Sequence, residues 1–439
     1  MPDAPRSNEA LIYGIDDRPG GWRTIVLGLQ HVLVMFTAMI GSPLAISRAL
    51  NLEHAQTGAM ITACMLGCGV GTILSALGLG PIGGRLPLVL GIFSIFVSPT
   101  IAIAQTSGMA SVSGALLIGS VAMFLASPLL GRARALLPDI VVGTILLVTG
   151  ASLLRIASLL LFREPVTALA LGLFTLAIIV AFGAYGGGLR VISVFCGFIL
   201  AYAMAAAGGM IDFGALARAP LIAMPALLPF GTEWPPAGAL ASILVCCVAA
   251  AVETSVQTVA LAHICGVAPT SERVRGAILA DGVGSVLSAA FGGLPLTSYS
   301  QNIGAITLTG VGSRFVIATC GVILVVLSFL PGVSLAISLT PSPVIGGALL
   351  FIFGLIATLG IQTAGDLRRP RDRTIVAVSL ALGLGVSFAG PALTGMLPPV
   401  LRPFLGEGII VGTIAAVVLN LVLSNPTGQA RAPDAENSK

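Results

Sequence analysis

The chain has 439 residues, 56% of them hydrophobic and 9% charged, with a mean hydropathy of +1.05 and a formal net charge of +4. Soluble globular domains carry about a quarter charged residues, so this composition excludes a soluble globular protein. The basic residues are arginines scattered along the chain plus one lysine, Lys439, with no gathered patch that would point to nucleic acid, and no nucleic-acid partner is expected.

In chain order, residues 1–22 are polar and rich in Pro and Gly and read as a cytosolic tail with no signal peptide. Apolar runs between Pro, Gly and charge breaks then give fourteen segments, each suited to a bilayer. Spans 1 and 2 cover 23–47 and 55–78, the first carrying Gln30-His31. Span 3 (86–105) opens within GGRLPLVLGIFSIFVSP, Gly83 to Pro99, and span 4 covers 109–130. Spans 5 to 7 cover 136–158, 165–184 and 190–208. The stretch 209–236 is too rich in proline to span and reads as a surface linker. Span 8 (237–262) holds Glu253 and Gln257, span 9 (274–291) holds Asp281, and span 10 (297–310) lies within GGLPLTSYSQNIGAITLTG, Gly292 to Gly310. Spans 11 to 14 cover 314–334, 343–363, 373–392 and 407–424, and 425–439 forms a second cytosolic tail. With the N-terminus inside, sixteen of the 21 basic residues fall on the cytosolic side, which fits an even number of spans with both termini cytosolic.

Spans 3 and 10 differ from the others. Both follow Gly-Gly and a Leu-Pro-Leu, and Pro87 and Pro295 lie 208 residues apart, close to the offset between span 1 and span 8. The echo points to two seven-span repeats, inverted because seven is odd. Proline and glycine shorten both segments to half-helices, and backbone of that kind at membrane depth must line protein or a watery cavity. Ser300, Gln301 and Asn302 would then stand at a half-helix start, where free N–H groups meet a polar ligand.

Glu253 and Asp281 are the two acids, of 17, that lie deep within apolar segments. A carboxyl group there costs at least a few kcal/mol and marks a functional site by default. Gln257, four residues after Glu253, shares its helical face and either completes a ligand surface or bonds Glu253. His31 is either a satisfied structural group or a ligand. The seven cysteines form no CxxC pair and read as buried thiols. The Gly-rich runs at 67–71 and 183–188 are followed by no lysine and read as helix packing or turns. No metal, cofactor or catalytic residue is expected, since the chain has no His-Glu-x-x-His, paired intramembrane aspartates or nucleophile elbow.

Gln301-Asn302-Ile303-Gly304-Ala305-Ile306-Thr307-Leu308-Thr309-Gly310 fits the signature Gln/Glu/Pro-Asn-x-Gly-x4-Thr-Arg/Lys/Gly of the nucleobase–ascorbate transporter family (nucleobase:cation symporter-2). With Gln30-His31, Glu253 and Leu279-Ala280-Asp281-Gly282, the chain resembles that family from about Tyr13 to Leu423. The resemblance implies an all-α polytopic membrane protein of fourteen spans in two inverted repeats, with short β-strands in spans 3 and 10. It implies a core domain of spans 1–4 and 8–11 (23–130 and 237–334) and a gate domain of spans 5–7 and 12–14 (136–208 and 343–424), with 209–236 as the linker. It further implies a homodimer through the gate in the bacterial inner membrane, and symport of a nucleobase with a proton, sodium being the alternative. Substrate-binding roles carry over to Glu253 and Gln301, with Ser300, Ser94, Phe93 and Gln257 beside them. Proton-coupling or structural roles carry over to Asp281, Asn302, His31 and Glu253. Glutamine at the first signature position goes with xanthine and urate, glutamate with uracil, so an oxopurine is expected, with uracil and an anion carrier of the same fold as alternatives. The chain departs from the pattern at Phe93-Ser94, whose order is reversed, at Gln257, where relatives often carry Asp or His, and at Ile303, commonly Asn in xanthine and urate carriers.

Overall fold

The computed structural model describes residues 11–133, 138–162, 166–185, 192–389 and 408–423, with 393, 396–397 and 405–406. The first ten residues and the expected tail 425–439 lie outside them, as do 186–188 of one Gly-rich run. Helices α1 (Gly21–Leu50) and α2 (His54–Leu77) come first; α1 stops at left-handed Asn51, and α2 starts at a capping box of Glu53 and Gln56. Strand β1 (Leu90–Ile92) follows, then a single 3₁₀ turn (Ser94–Phe96) and α3 (Val97–Ala133), which breaks at Gly108 with φ +82°. Next come α4 (Asp139–Phe162), α5 (Val166–Tyr185) and α6 (Ser193–Ala207). The proline-rich linker holds one five-residue helix, α7 (Phe213–Ala217), started by the Asp212 side chain. Helices α8 (Ala237–Ile264) and α9 (Ser271–Ala290) lead to β2 (Leu296–Ser298) and the ten-residue α10 (Ser300–Thr309). Then follow α11 (Arg314–Ser328), α12 (Pro331–Ser338), α13 (Ser342–Ala364), α14 (Pro370–Ala389) and α15 (Gly408–Val422).

Each of the fourteen expected segments contains helix. By length and apolarity, however, seven of the described helices can each cross a membrane, or eight if α11 and α12, bent by 82°, count as one. The shortfall from fourteen has physical causes. Expected spans 3 and 4 run together in α3, α10 is a half-length helix, and α5, α6 and α15 are apolar but short. Helix α9 is long enough, but Ser, Arg, Glu and Asp dilute its apolar character.

The helices pack in two groups. Helix α2 lies between α9 and α11, and α3 lies against α8 and α9. Separately, α4 runs along α13, α14 and α15 pack on α4 and on each other, and α5 and α6 pair beside α13. In lipid no hydrophobic effect drives helices together, so close backbone approach over small residues takes its place. A Cβ on Gly69 of α2 would come within 2.7 Å of the Gly321 carbonyl of α11, and one on Gly150 of α4 within 2.7 Å of the Phe353 carbonyl of α13. Helix α1 joins the two groups, touching α11 and α3 on one side and α13 and α6 on the other.

The expected N-terminal tail is partly structured. Tyr13 forms a parallel bridge with Val311, just after α10: Tyr13 N donates to the Gly310 carbonyl (3.2 Å) and Gly312 N to the Tyr13 carbonyl (2.8 Å). Arg314 N donates to the Ile15 carbonyl (3.0 Å), Ser313 Oγ to the Asp17 carbonyl (2.6 Å), and the Arg314 guanidinium pairs with Asp16 at 2.7 Å.

Candidate functional site

The site is built where the two shortened segments meet. Proline cannot continue a helix and pushes the residue before it toward extended backbone, so Leu86-Pro87 and Leu294-Pro295 each lead into a strand rather than a helix. β1 and β2 pair antiparallel, with Leu90 opposite Ser298, Gly91 opposite Thr297 and Ile92 opposite Leu296. The ladder extends at both ends: Tyr299 N donates to the Val89 carbonyl (2.9 Å) and Phe93 N to the Pro295 carbonyl (3.2 Å). The Tyr299 ring lies flat against Gly91, where a Cβ would overlap its Cζ and Cε2 and come within 2.6 Å of Cε1. Its hydroxyl donates to the Ile92 carbonyl at 2.9 Å. Glycine at 91 is therefore what lets the tyrosine seat on the strand.

A cavity opens beside this pair of strands. Phe93, Ser94, Glu253, Ser298, Tyr299 and Gln301 line it, together with Ala38, Leu146, Ile356 and Leu359 of α1, α4 and α13. It holds about 440 Å³ of empty space, part of it open to the exterior. A smaller cavity adjoins it, sharing Phe93, Leu146 and Glu253.

The Glu253 carboxylate, on α8, is buried. Its Oε1 accepts from Gln257 Nε2 at 2.9 Å, one helical turn on, while its Oε2 has no partner among the described residues. Gln257 Oε1 and Ser298 Oγ are likewise buried without partners. Ser94 Oγ lies 3.1 Å from Ser42 Oγ of α1, and the Phe93 ring meets Phe96 edge-on. The side chain of Ser300, expected at the site, lies outside the described residues; its backbone opens α10.

The structure thus brings Phe93, Ser94, Glu253 and Gln301 to one cavity, with Gln257 held on Glu253. It does not bring Asp281, Asn302 or His31 to that cavity's walls. Asp281 is fully buried behind the strands, accepting from Thr254 Oγ1 (2.7 Å) and Ser285 Oγ (3.4 Å). Asn302 Nδ2 donates to the His31 carbonyl (3.0 Å) and sits 3.1 Å from His31 Nδ1, which ties α10 to α1. Sequence reasoning missed Ser298 and Tyr299, although Thr-Ser-Tyr directly before Ser300 was a visible polar signal in an apolar segment. Among the described residues no three His, Cys, Asp or Glu side chains gather closely enough to hold a metal ion.

An aromatic face, an ionisable acceptor and a carboxamide around a narrow cavity suit a small flat ligand with polar edges. Half-helices meeting in corresponding halves of a chain are the kind of arrangement in which secondary transporters hold their substrates.

Solved structures share this architecture. The transmembrane domain of the cyanobacterial bicarbonate transporter BicA superposes with a TM-score of 0.61 over 92% of this chain and 99% of that one, at 14% identity. The anion transporter SLC26A9 gives 0.60 over 90% of this chain and 65% of that one, also at 14% identity. At such identity the likeness is one of fold. The Permease family model (Xan_ur_permease) matches residues 22–391. A putative purine permease of Clostridium perfringens is 34% identical over 95% of this chain and 94% of its own length. The xanthine permease XanP of Escherichia coli is 32% identical over 96% of each chain, and the uric acid permease PucJ of Bacillus subtilis 30% identical over 92% and 93%. The chain belongs to the nucleobase–ascorbate transporter family. It is a multi-pass membrane permease and not an enzyme.

Proposed function

We propose that this permease imports an oxopurine, xanthine or urate, together with a proton, across the bacterial inner membrane with both termini in the cytosol. The observation that carries the substrate reading is the pairing of polar groups in the cavity. Glu253 offers an unpartnered carboxylate oxygen, and Gln301 offers a carboxamide that both donates and accepts. An oxopurine presents alternating N–H and C=O groups on its edges and a flat face for Phe93. The relatives that carry xanthine and uric acid by name support the same choice. Uracil is the second reading, because it shares the alternating edge in one ring. Family membership supports a nucleobase over the anions of the structural neighbours.

In this proposal α1–α3 and α8–α12 form the core domain and α4–α6 and α13–α15 the gate, which forms the homodimer. Their packing in two groups supports the division, and a cavity lined from both groups supports movement of one against the other. Substrate and proton bind from outside, the core moves relative to the gate, and both are released inside.

The test is uptake of labelled xanthine, urate and uracil in cells lacking their own carriers, with and without an uncoupler and in the absence of sodium. Purine uptake that the uncoupler abolishes and sodium removal leaves intact is expected. Uptake of none of the three would refute the substrate reading, and uptake indifferent to the uncoupler would refute the proton.

A further inference from the structure

A two-stranded sheet has two outer edges whose backbone groups face no third strand, and inside a bilayer each such group needs a partner within the protein. On β1 that partner is Thr72 of α2, whose Oγ1 accepts from Leu90 N (3.0 Å) and donates to the Leu90 carbonyl (3.3 Å). On β2 two hydroxyls serve. Thr254 Oγ1, from α8, accepts from Ser298 N (3.2 Å), and Ser285 Oγ, from α9, accepts from Leu296 N (2.9 Å).

A hydroxyl that takes a backbone N–H must direct its own proton elsewhere. Both direct it to one carboxyl group: Thr254 donates to Asp281 Oδ2 (2.7 Å) and Ser285 to Asp281 Oδ1 (3.4 Å). Thr254, Ser285, Asp281 and Leu296 are fully buried and Ser298 is 1% exposed, so bulk water does not replace these links.

We infer that Thr254 and Ser285 are positioning residues for the ligand cavity, clamping β2 to α8 and α9 with Asp281 setting the direction of both hydroxyls. Ser298, whose N–H Thr254 holds, lines the cavity itself, and three residues later the chain delivers Gln301 from the start of α10. Asp281 acts on the ligand through this clamp and not by contact. The inference rests on the cavity's being the substrate site proposed above.

Hydrogen–deuterium exchange on the full-length protein in lipid nanodiscs tests the clamp without any substrate. In Thr254→Val the Ser298 amide should exchange about tenfold faster or more, and in Ser285→Ala the Leu296 amide should do so, since each loses its buried acceptor. Thr254→Ser keeps the hydroxyl and should match wild type. Transport supplies the second readout: KM for the carried purine should rise about tenfold in Thr254→Val with Vmax nearly kept, and Thr254→Ser should restore it. Unchanged exchange at both amides overturns the clamp. Faster exchange with an unchanged KM overturns its role at the cavity. Should Thr254→Val misfold, Ser285→Ala makes both comparisons at Leu296. If wild type carries no purine, the substrate reading fails while the exchange arm still decides the clamp.

Discussion

Removal of the Glu253 carboxylate tests the cavity most directly. One of its oxygens is already held by Gln257 Nε2 at 2.9 Å and the other is unpartnered. A ligand N–H given to that second oxygen in the ionised form makes a hydrogen bond to a charged acceptor, about 1.5–3 kcal/mol, which is about tenfold to a hundredfold in affinity. Glu253→Ala forfeits this bond and strands Gln257 Nε2 as well, so affinity should fall by at least that factor. Glu253→Gln behaves differently. Its new amide can donate to the otherwise unpartnered Gln257 Oε1 and turn its own oxygen toward the ligand. A neutral hydrogen bond then remains, and the loss shrinks to about 1 kcal/mol, roughly fivefold. The Gln variant also lacks a titratable group, so the pH dependence of binding should flatten. Calorimetry on purified protein from about pH 5 to pH 8 measures both effects. Wild-type pH dependence surviving in Glu253→Gln would move the titrating role to Asp281 or His31. Undiminished affinity in a folded Glu253→Ala protein would refute the reasoning.

Three further outcomes are expected. Gln301→Glu should weaken purine uptake about fivefold to a hundredfold, since a polar group mismatched to its ligand costs about 1–3 kcal/mol, and should improve competition by uracil; unchanged inhibition constants for both bases would remove Gln301 from the site. Asp281→Asn can accept from one hydroxyl but offers N–H to the other, so accumulation against a gradient should be lost while weakened binding persists; complete loss of binding in a folded variant would place Asp281 on the ligand. Gly91→Ala drives a methyl group into the Tyr299 ring and should cost about 1–3 kcal/mol of stability by overpacking, visible as a lowered thermal midpoint together with a raised KM. An unchanged midpoint would mean that the ring moves aside freely.

The sequence revealed the membrane character, the approximate limits of the helices and the two proline-led segments, because apolar runs and proline act locally and leave marks in one dimension. Glu253 and Asp281 were conspicuous for the same reason, as charges in apolar surroundings. The different places of these two acids were not legible. Glu253 reaches the cavity while Asp281 is enclosed behind β2, and that follows from how α8, α9 and the strands pack together. Gln257 was legible only as a pair of alternatives, and its 2.9 Å contact with Glu253 shows that it holds the carboxylate. The crossing count is not settled by length and hydropathy, since expected spans 3 and 4 share α3, broken at Gly108, and α10 is a half-helix. Thr254 and Ser285 left no mark, since threonine and serine in an apolar helix most often bond their own preceding turn.

The bridge between Tyr13 and Val311 makes the start of the described chain and the far end of α10 mechanically one piece. A pull on residues upstream of Leu11 is delivered through backbone hydrogen bonds at Tyr13 and Ile15, and through the Asp16–Arg314 ion pair, to the turn that ends α10. At the other end of that ten-residue helix, in its second position, stands Gln301. The N-terminus is accordingly a poor place for a bulky tag or fusion, because the load would hang from a lever whose other arm reaches the cavity. Helix α15, near the other end of the described chain, packs on α14 and α4, so a C-terminal fusion is the better choice.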